Sequence, residues 1–159
     1  MSITVVATVD PARSRADART DGGYTISTAG DPPEGAGDAP GPKETLLAAL
    51  AGCTSMDVAS ILRKKRQVPD SYEITVTGES ASEHPKVFTA IGVEHRVTGA
   101  VSPEALRRSI ELSAARYCPV NAMLSAVATI EHSYRLTDED GTQVDALVAV
   151  TGPTGSRIL

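Results

Sequence analysis

GPKETLLAALAGCTSMDVASILRKK, residues 41–65, has the pattern of a long helix with a cysteine, Cys53, near its centre. Pro42 suits the first helical position, because the N–H that proline lacks would be unpaired there. Glu44 suits the positive end of the helix dipole in the first turn. Residues 46–51 are apolar throughout, and a helix that is apolar on every face is typically buried. We therefore predict a buried helix that carries a central thiol.

Length, composition and charge restrict the class of protein. The chain has 159 residues, which suits one domain, and 41% hydrophobic residues with only 3% aromatic ones, so its core must be mainly aliphatic. A net charge of −5 argues against nucleic acid as a partner, because phosphate contacts need clustered Lys and Arg. No apolar run approaches the roughly 20 residues of a membrane span. The first residues lack a signal-peptide pattern, and two cysteines without one indicate a reducing cytoplasm.

Strands and helices alternate only partly along the chain. Alternating apolar and polar residues, which are typical of half-buried strands, occur at residues 72–77, 87–98 and 130–136, and extended patterns at 3–9 and 24–27. A turn signal at residues 21–23 makes the first two a hairpin. Ser102 begins a second long helix, and residues 121–127 resemble a short one. Strands and helices that are partly segregated in this way predict an α+β fold.

The domain organisation is simple. Residues 1–136 contain all the strands and helices predicted above and are assigned to one domain. Residues 137–159 form a C-terminal tail of unknown role, which is acidic at first, then apolar, then rich in Gly and Pro. The pattern of this tail leaves open whether it is an arm or an extra strand.

Few residues have the spacing of a metal or cofactor site. The two cysteines and three histidines (His84, His95 and His132) show neither CxxC nor HxxxH spacing. His95 and His132 lie in strand patterns, where a histidine is more often an ordinary sheet residue than a ligand. The chain has no GxSxG, Walker or GxGxxG motif. We therefore expect no metal and no bound cofactor, and the two thiols remain as candidates for chemistry.

The surroundings of the two thiols differ. Cys118 precedes Pro119, which places it at the cap of a helix whose unpaired N–H groups and dipole favour a thiolate. Arg116 adds positive charge nearby, although a merely capping role fits Cys118 equally well. Cys53 lies among apolar residues, which makes a thiol inert, so reactivity there requires a cation from elsewhere in the fold. Asp57, one turn along the same face, works against a thiolate at Cys53 unless it pairs with that cation.

The stretch from Pro42 to Cys53, followed by Cys118-Pro-Val-Asn-Ala, resembles the OsmC/Ohr family of osmotically inducible and organic hydroperoxide resistance proteins. The run that follows Gly52 is closer to the OsmC-like branch, and the likeness covers roughly residues 1–136. The resemblance implies an intertwined homodimer, in which curved antiparallel sheets surround two central helices. It places two active sites at the interface between the subunits.

The resemblance also implies a thiol peroxidase that acts on organic hydroperoxides. Cys53 matches the thiol that attacks the peroxide, and Cys118 matches the resolving thiol. The attacking thiolate becomes a sulfenic acid, which condenses with the second thiol to a disulfide. A small dithiol, in this family often a lipoyl group, then reduces the disulfide by exchange.

In the family, an arginine from the N-terminal strands and a glutamate near the helix start hold the attacking thiolate. Arg13 is the nearest match for the arginine, with Arg15 and Arg19 as alternatives. Glu44 is the nearest match for the glutamate, but it lies nine residues before Cys53, one residue nearer than the family position. That spacing puts Glu44 on the opposite side of an ideal helix from Cys53. A first-turn dipole partner is therefore the other interpretation of Glu44.

Two other functions fit the same residues. One is a non-enzymatic dimer whose apolar cleft binds a small hydrophobic ligand, with both cysteines as packing groups. The other is a thiol role other than peroxide reduction, such as persulfide or disulfide exchange. Two observations discriminate between redox and packing roles: the distance between the sulfurs of Cys53 and Cys118, and whether a guanidinium approaches Cys53. The sequence leaves open the physiological oxidant and reductant, and which thiol reacts first, because helix physics favours Cys118 and the resemblance favours Cys53.

Overall fold

The computed structural model describes residues 2–159. The chain divides into two compact units, a first that ends at Leu46 and a second from Leu47 to Leu159. Helix α1 begins in the first unit and continues into the second.

The first unit contains a three-stranded antiparallel sheet in the order β1-β2-β3. The strands are β1 (Val5–Asp10), β2 (Arg15–Thr20) and β3 (Thr25–Ala29). The turn at residues 21–23 is present, and the N–H of Gly23 donates to the carbonyl of Thr20 over 2.9 Å. The strand that enters this turn is β2, so the predicted hairpin partner of β3, residues 3–9, was wrong. The sequence of β2, RADART, has no apolar residue larger than alanine, and its alternation is therefore easy to miss.

Helix α1 (Pro42–Lys64) begins at the predicted proline. Its buried residues form a single stripe, one turn apart: Leu50, Thr54, Val58 and Leu62. Leu46 is 39% exposed, and Ala48 and Ala49 are exposed as well, so burial of every face, as predicted from residues 46–51, does not occur in the single chain. Beyond Cys53, Met56 is 73% exposed. The described residues leave an apolar helix face without cover.

Helix α1 is also the one helix within residues 2–159 that is long and apolar enough to cross a membrane. The sequence analysis expected no such stretch. The finding rests on length and composition alone and is a weak indication, because core helices of soluble proteins meet the same criterion.

The second unit is built on a five-stranded sheet in the order β4-β5-β6-β7-β8. Its strands are β4 (Ser71–Ser80), β5 (Phe88–Thr98), β6 (Thr129–Thr137), β7 (Gln143–Gly152) and β8 (Gly155–Ile158). Strands β5 and β6 pair in parallel, and the other neighbours are antiparallel. Strands β7 and β8 occupy most of residues 137–159, whose structure the sequence pattern left open. They extend the sheet beyond β6, which places this segment in the folded unit.

The parallel pair β5–β6 needs a crossover connection, and the chain supplies helices there. These are α2 (Pro103–Leu112), a π-helical turn (Ser113–Tyr117) and α3 (Pro119–Leu124). The hydroxyl of Ser102 caps α2 by accepting the N–H of Ala105 over 3.1 Å, with proline at the first position as predicted. The π-helical turn ends α2 earlier than the sequence indicates and redirects the chain into α3.

Two clusters of buried side chains form the core. One joins α1, α2 and the sheet through residues such as Leu62, Leu106 and Val148. The other includes Leu50, Ile130 and Cys118, with Cys53 packed against it. Both thiols therefore border the same apolar cluster.

We expect Leu106→Ala to lower the free energy of unfolding by about 2–5 kcal/mol, because Leu106 is fully buried and truncation leaves a cavity. Leu147→Ala is the matched control: this leucine is 43% exposed and should cost about 1 kcal/mol or less. Urea denaturation followed by circular dichroism measures both. Equal losses in the two variants would contradict the assignment of the core.

Candidate functional site: a thiol pair at a helix N-terminus

Cys118 caps helix α3. Its backbone is extended (φ −74°, ψ 103°), and its sulfur accepts the N–H of Asn121 over 3.3 Å. Pro119 occupies the first helical position, as the sequence indicates. The hydroxyl of Thr54, on α1, donates to the same sulfur over 3.6 Å. Only 3% of Cys118 is exposed, so this thiol is held by two donors inside the fold.

Cys53, on α1, is brought next to Cys118. The sulfurs of Cys53 and Cys118 and a carboxylate oxygen of Asp57 all lie within 4.8 Å of one another; we call these three residues the thiol cluster. Cys53 is half-buried and Cys118 is buried. A disulfide needs the sulfurs at about 2.05 Å, so a modest approach would join them. The distance criterion from the sequence analysis therefore favours thiol chemistry over two unrelated packing groups.

The surroundings of Cys53 oppose ionisation in the single chain. Burial raises the pKa of Cys53 to about 11, and the neighbouring Cys118 thiol and Asp57 carboxylate act in the same direction. A backbone hydrogen bond from Val120 acts the other way. The thiol form of Cys53 therefore predominates near neutral pH, and a cation is needed to stabilise its thiolate.

Asp57 is positioned from the π-helical turn. The hydroxyl of Ser113, the first residue of that turn and fully buried, donates to Oδ2 of Asp57 over 3.1 Å. Asp57 lies one helical turn after Cys53, so both side chains share a face of α1. Two thiols and a carboxylate at these distances are also a ligand set that a metal ion accepts.

Asn121 joins the three elements around Cys118. Its Nδ2 donates to the carbonyl of Ala114 over 2.9 Å and to Oγ1 of Thr151 over 3.2 Å. Its Oδ1 lies 2.9 Å from Nε2 of His132, which places the proton of that ring on Nε2. The sequence analysis interpreted His132 as an ordinary sheet residue and assigned Asn121 no role. The sequence contains one signal for a role of Asn121: it lies three residues after the predicted cap, Cys118. The N–H at that position has no partner within the helix and can bond the cap side chain.

A chain of buried side chains links His132 to Tyr72 through His95. The rings of His132 and His95 are stacked with centroids 6.0 Å apart, and Nδ1 of His95 lies 2.6 Å from the Tyr72 hydroxyl. Nε2 of His95 and Nδ1 of His132 have no hydrogen-bond partner within residues 2–159. Burial lowers the pKa of His95 to about 3 and that of His132 to about 4, so both rings are neutral at physiological pH.

The arginines matched by resemblance belong to the first unit, whereas the thiol cluster belongs to the second. Arg13 pairs with Asp38 over 2.8 Å, and Arg15 pairs with the same carboxylate over 2.7 Å. Arg15 is the more enclosed of the two, with 22% of its side chain exposed against 55% for Arg13. Arg19 is exposed. Asp38 thus holds the guanidinium groups of Arg13 and Arg15 close together in the first unit.

Glu44 closes the start of α1. Its Oε2 accepts the N–H of Gly41 over 2.7 Å, which is the reciprocal half of a capping interaction. The hydroxyl of Thr45 donates to the carbonyl of Gly41 over 3.1 Å. These contacts correspond to the first-turn role that the sequence analysis gave as the other interpretation of Glu44.

Comparison with known sequences places the site in a known family. The family model for OsmC-like protein matches residues 35–133, which include the whole thiol cluster, Asn121 and His132. Protein YhfA of Escherichia coli strain K12 is 42% identical over 99 residues, which are 62% of this chain and 74% of that protein. The resemblance stated from the sequence is therefore confirmed.

Solved structures show the same fold. A protein of Aquifex aeolicus VF5 has a TM-score of 0.77 and 27% identity, covering 87% of this chain and 98% of that one. An organic hydroperoxide resistance protein OsmC from Legionella pneumophila has a TM-score of 0.65, covering 84% of this chain and 96% of that one. Because that protein is only 13% identical, the likeness concerns the fold alone. The predicted α+β class is confirmed.

The buried histidines predict how stability depends on pH. An unfolded histidine titrates near pH 6.5, whereas the folded pKa values are about 3 for His95 and about 4 for His132. Between these limits the unfolded chain binds more protons than the folded chain. The contribution of the two histidines to the free energy of unfolding is therefore fully present above pH 6.5 and is lost as the pH falls toward 4. The slope approaches about 1.4 kcal/mol per pH unit for each histidine.

Urea denaturation at several pH values between 6.5 and 4.5 measures this slope. His132→Leu should reduce it, and His84→Gln, which removes the exposed third histidine, is the control. A slope that His132→Leu leaves unchanged would contradict the assignment of a neutral buried ring to His132.

Proposed function

Because this chain belongs to the OsmC-like protein family, we propose that it is a thiol peroxidase that reduces organic hydroperoxides. Family membership and the paired thiols support a redox role. The observation that carries the finer proposal is the approach of the two sulfurs and Asp57 to within 4.8 Å of one another. Cys53 lies on α1 and Cys118 caps α3, 65 residues later in the chain, so the approach of the two thiols is a product of the tertiary fold.

The first step is the attack of the Cys53 thiolate on the O–O bond of a hydroperoxide, ROOH. The S–O bond forms, the O–O bond breaks, and the alcohol ROH leaves after taking up a proton. Cys53 becomes a sulfenic acid, so sulfur is oxidised by two electrons and the peroxide is reduced by two.

In the second step the sulfur of Cys118 attacks that of the sulfenic acid. The S–S bond forms, the S–O bond breaks, and water leaves with the proton released by Cys118. A small dithiol such as a lipoyl group then restores both thiols by two exchange steps and becomes a cyclic disulfide itself. In the free-thiol form the N–H of Asn121 donates to the sulfur of Cys118 and that of Val120 donates to the sulfur of Cys53, so both sulfurs lie near the N-terminus of α3.

Activation of Cys53 requires a cation. With a pKa of about 11, only about one molecule in 10,000 carries the thiolate at pH 7. Arg13 is the proposed source of the positive charge, with Arg15 and Arg19 as alternatives. Glu44, whose Oε2 accepts the N–H of Gly41 at the start of α1, is proposed as the anchor of that arginine. The shared ion pairs of Arg13 and Arg15 with Asp38 support this source of charge, because they preassemble two guanidinium groups in the first unit.

The proposed route for substrate is a surface groove in the second unit beside α1, with a volume of about 720 Å³. Asp57 lines this groove, and one of its carboxylate oxygens lies within 4.8 Å of both sulfurs, which supports this route. Met56 and Val68 add exposed apolar surface, 73% and 68% exposed, which suits the organic part of a hydroperoxide.

We further propose a cytoplasmic homodimer as the working form. In β1 all six residues are exposed, including Val5, Val6 and Val9, which are 53–65% exposed. The uncovered face of α1, with Met56, adds more apolar area. Monomeric proteins rarely expose apolar surface of this extent, and a second copy of the chain is the occupant that the family resemblance implies. Analytical ultracentrifugation that gives the mass of one chain at micromolar concentration would remove the dimer from the proposal.

The peroxidase proposal predicts different fates for the two single-cysteine variants. Cys53→Ser should show no rapid thiol loss with an alkyl hydroperoxide in stopped flow. Cys118→Ser should lose the Cys53 thiol at a rate near that of the wild type but form no disulfide, since the sulfenic acid has no partner. Mass spectrometry after trapping with dimedone detects that sulfenic acid. Serine is a good helix cap, so Cys118→Ser preserves the start of α3.

The competing outcomes are distinct. If Cys118→Ser no longer reacts with hydroperoxide whereas Cys53→Ser still does, Cys118 is the attacking thiol and Cys53 the resolving one. No thiol loss in the wild type at micromolar hydroperoxide would leave the cysteines as packing groups in a ligand-binding dimer. Rapid reaction with a persulfide or a disulfide donor, but not with peroxide, would identify a different thiol-exchange role.

A further inference from the structure

We infer that the thiol cluster is also a binding site for a thiophilic divalent cation, with Zn²⁺ as the representative ion. Cys53, Asp57 and Cys118 would each supply one ligand atom. Nothing in the peroxidase cycle requires this metal, so the inference adds a second property to the same three residues.

The distances between the ligand atoms suit such an ion. All three lie within 4.8 Å of one another. In a tetrahedral zinc site with Zn–S bonds of about 2.3 Å, neighbouring sulfurs are about 3.8 Å apart. The difference is about 1 Å at most, which is of the size that a change of side-chain torsion angles covers. The fourth position of the tetrahedron stays open to water or to an external thiol.

The elements that carry the ligands are rigid. Cys53 and Asp57 lie one turn apart on α1, so a single helix face presents both. Cys118 comes from the capped N-terminus of α3, where Asn121 ties the backbone to the π-helical turn and to β7. The three ligand residues are therefore held by regular secondary structure and its hydrogen bonds.

Hydrogen bonds surround the ligands as they do in established metal sites, where such donors orient the ligands and tune their charge. The Ser113 hydroxyl holds Oδ2 of Asp57 over 3.1 Å, which leaves Oδ1 free to face an ion. The Asn121 N–H and the Thr54 hydroxyl donate to the Cys118 sulfur over 3.3 and 3.6 Å. Ser113 and Thr54 are fully buried, so these donors have few other partners to choose from.

The binding reaction balances without a redox partner. Two thiols and one carboxylate take up M²⁺ and release two protons to solvent, so the complex carries one net negative charge. The sulfur lone pairs that would attack a peroxide or a sulfenic acid are then coordinated to the ion. Where the proposed peroxidase activity holds, metal occupancy and peroxide reduction exclude each other, and oxidation to the disulfide expels the ion.

Chelator competition with Zn²⁺ alone tests the inference on the reduced full-length chain. The expected result is one Zn²⁺ per chain, with affinity at least tenfold weaker in each of Cys53→Ser, Cys118→Ser and Asp57→Asn. Asp145→Asn is the control: its carboxylate is exposed, pairs with Arg135 and should leave the affinity unchanged. Circular dichroism of each variant establishes that it is folded before binding is compared.

Cobalt substitution gives a readout that needs no activity. Co²⁺ bound by both thiolates produces a sulfur-to-metal charge-transfer band and the visible bands of tetrahedral geometry, and either cysteine substitution should weaken the charge-transfer band. The inference is overturned if the wild type binds no Zn²⁺ against the chelator, or if Asp57→Asn binds as tightly as the wild type. Peroxide oxidation of the metal-free protein is measured separately, so failure of one proposal leaves the other standing.

Discussion

The parallel pairing of β5 with β6 is the constraint on which the rest of the second unit depends. Parallel neighbours cannot be joined by a tight turn, so the chain must leave the sheet at the end of β5 and cross back to the end where β5 began. The crossover consists of α2, the π-helical turn and α3. It carries Cys118 back to α1, where Cys53 lies. The thiol pair is thus a consequence of sheet topology.

Asn121 converts this topology into a defined geometry. Its side chain bonds the π-helical turn, β7 and His132, while its N–H bonds the sulfur of Cys118. A buried amide with all these partners has few alternatives, because an unpaired donor or acceptor there is costly. Rigidity at Cys118 suits both a resolving thiol and a metal ligand.

The electrostatics of the thiol cluster are unfavourable to a thiolate at Cys53 unless positive charge arrives. Burial and Asp57 both raise its pKa. In the two proposals above, this charge would come either from a guanidinium, which would ionise the thiol for attack, or from a divalent cation, which would bind it. In both proposals Asp57 would be the acidic partner of the cation.

Local sequence was sufficient for much of the fold and for part of the site. Pro42 and Ser102 marked helix starts, alternation marked β4, β5 and β6, and the Cys118-Pro119 pair marked a capped helix, because each signal acts within a few residues. Tertiary packing alone decided that Cys53 and Cys118 meet, that Asp57 joins them and that Asn121 and His132 hold the turn. Those contacts join residues 7 to 65 positions apart, except for the Cys53–Asp57 spacing on α1. No local propensity encodes them, since they arise from the sheet order and the crossover that it imposes.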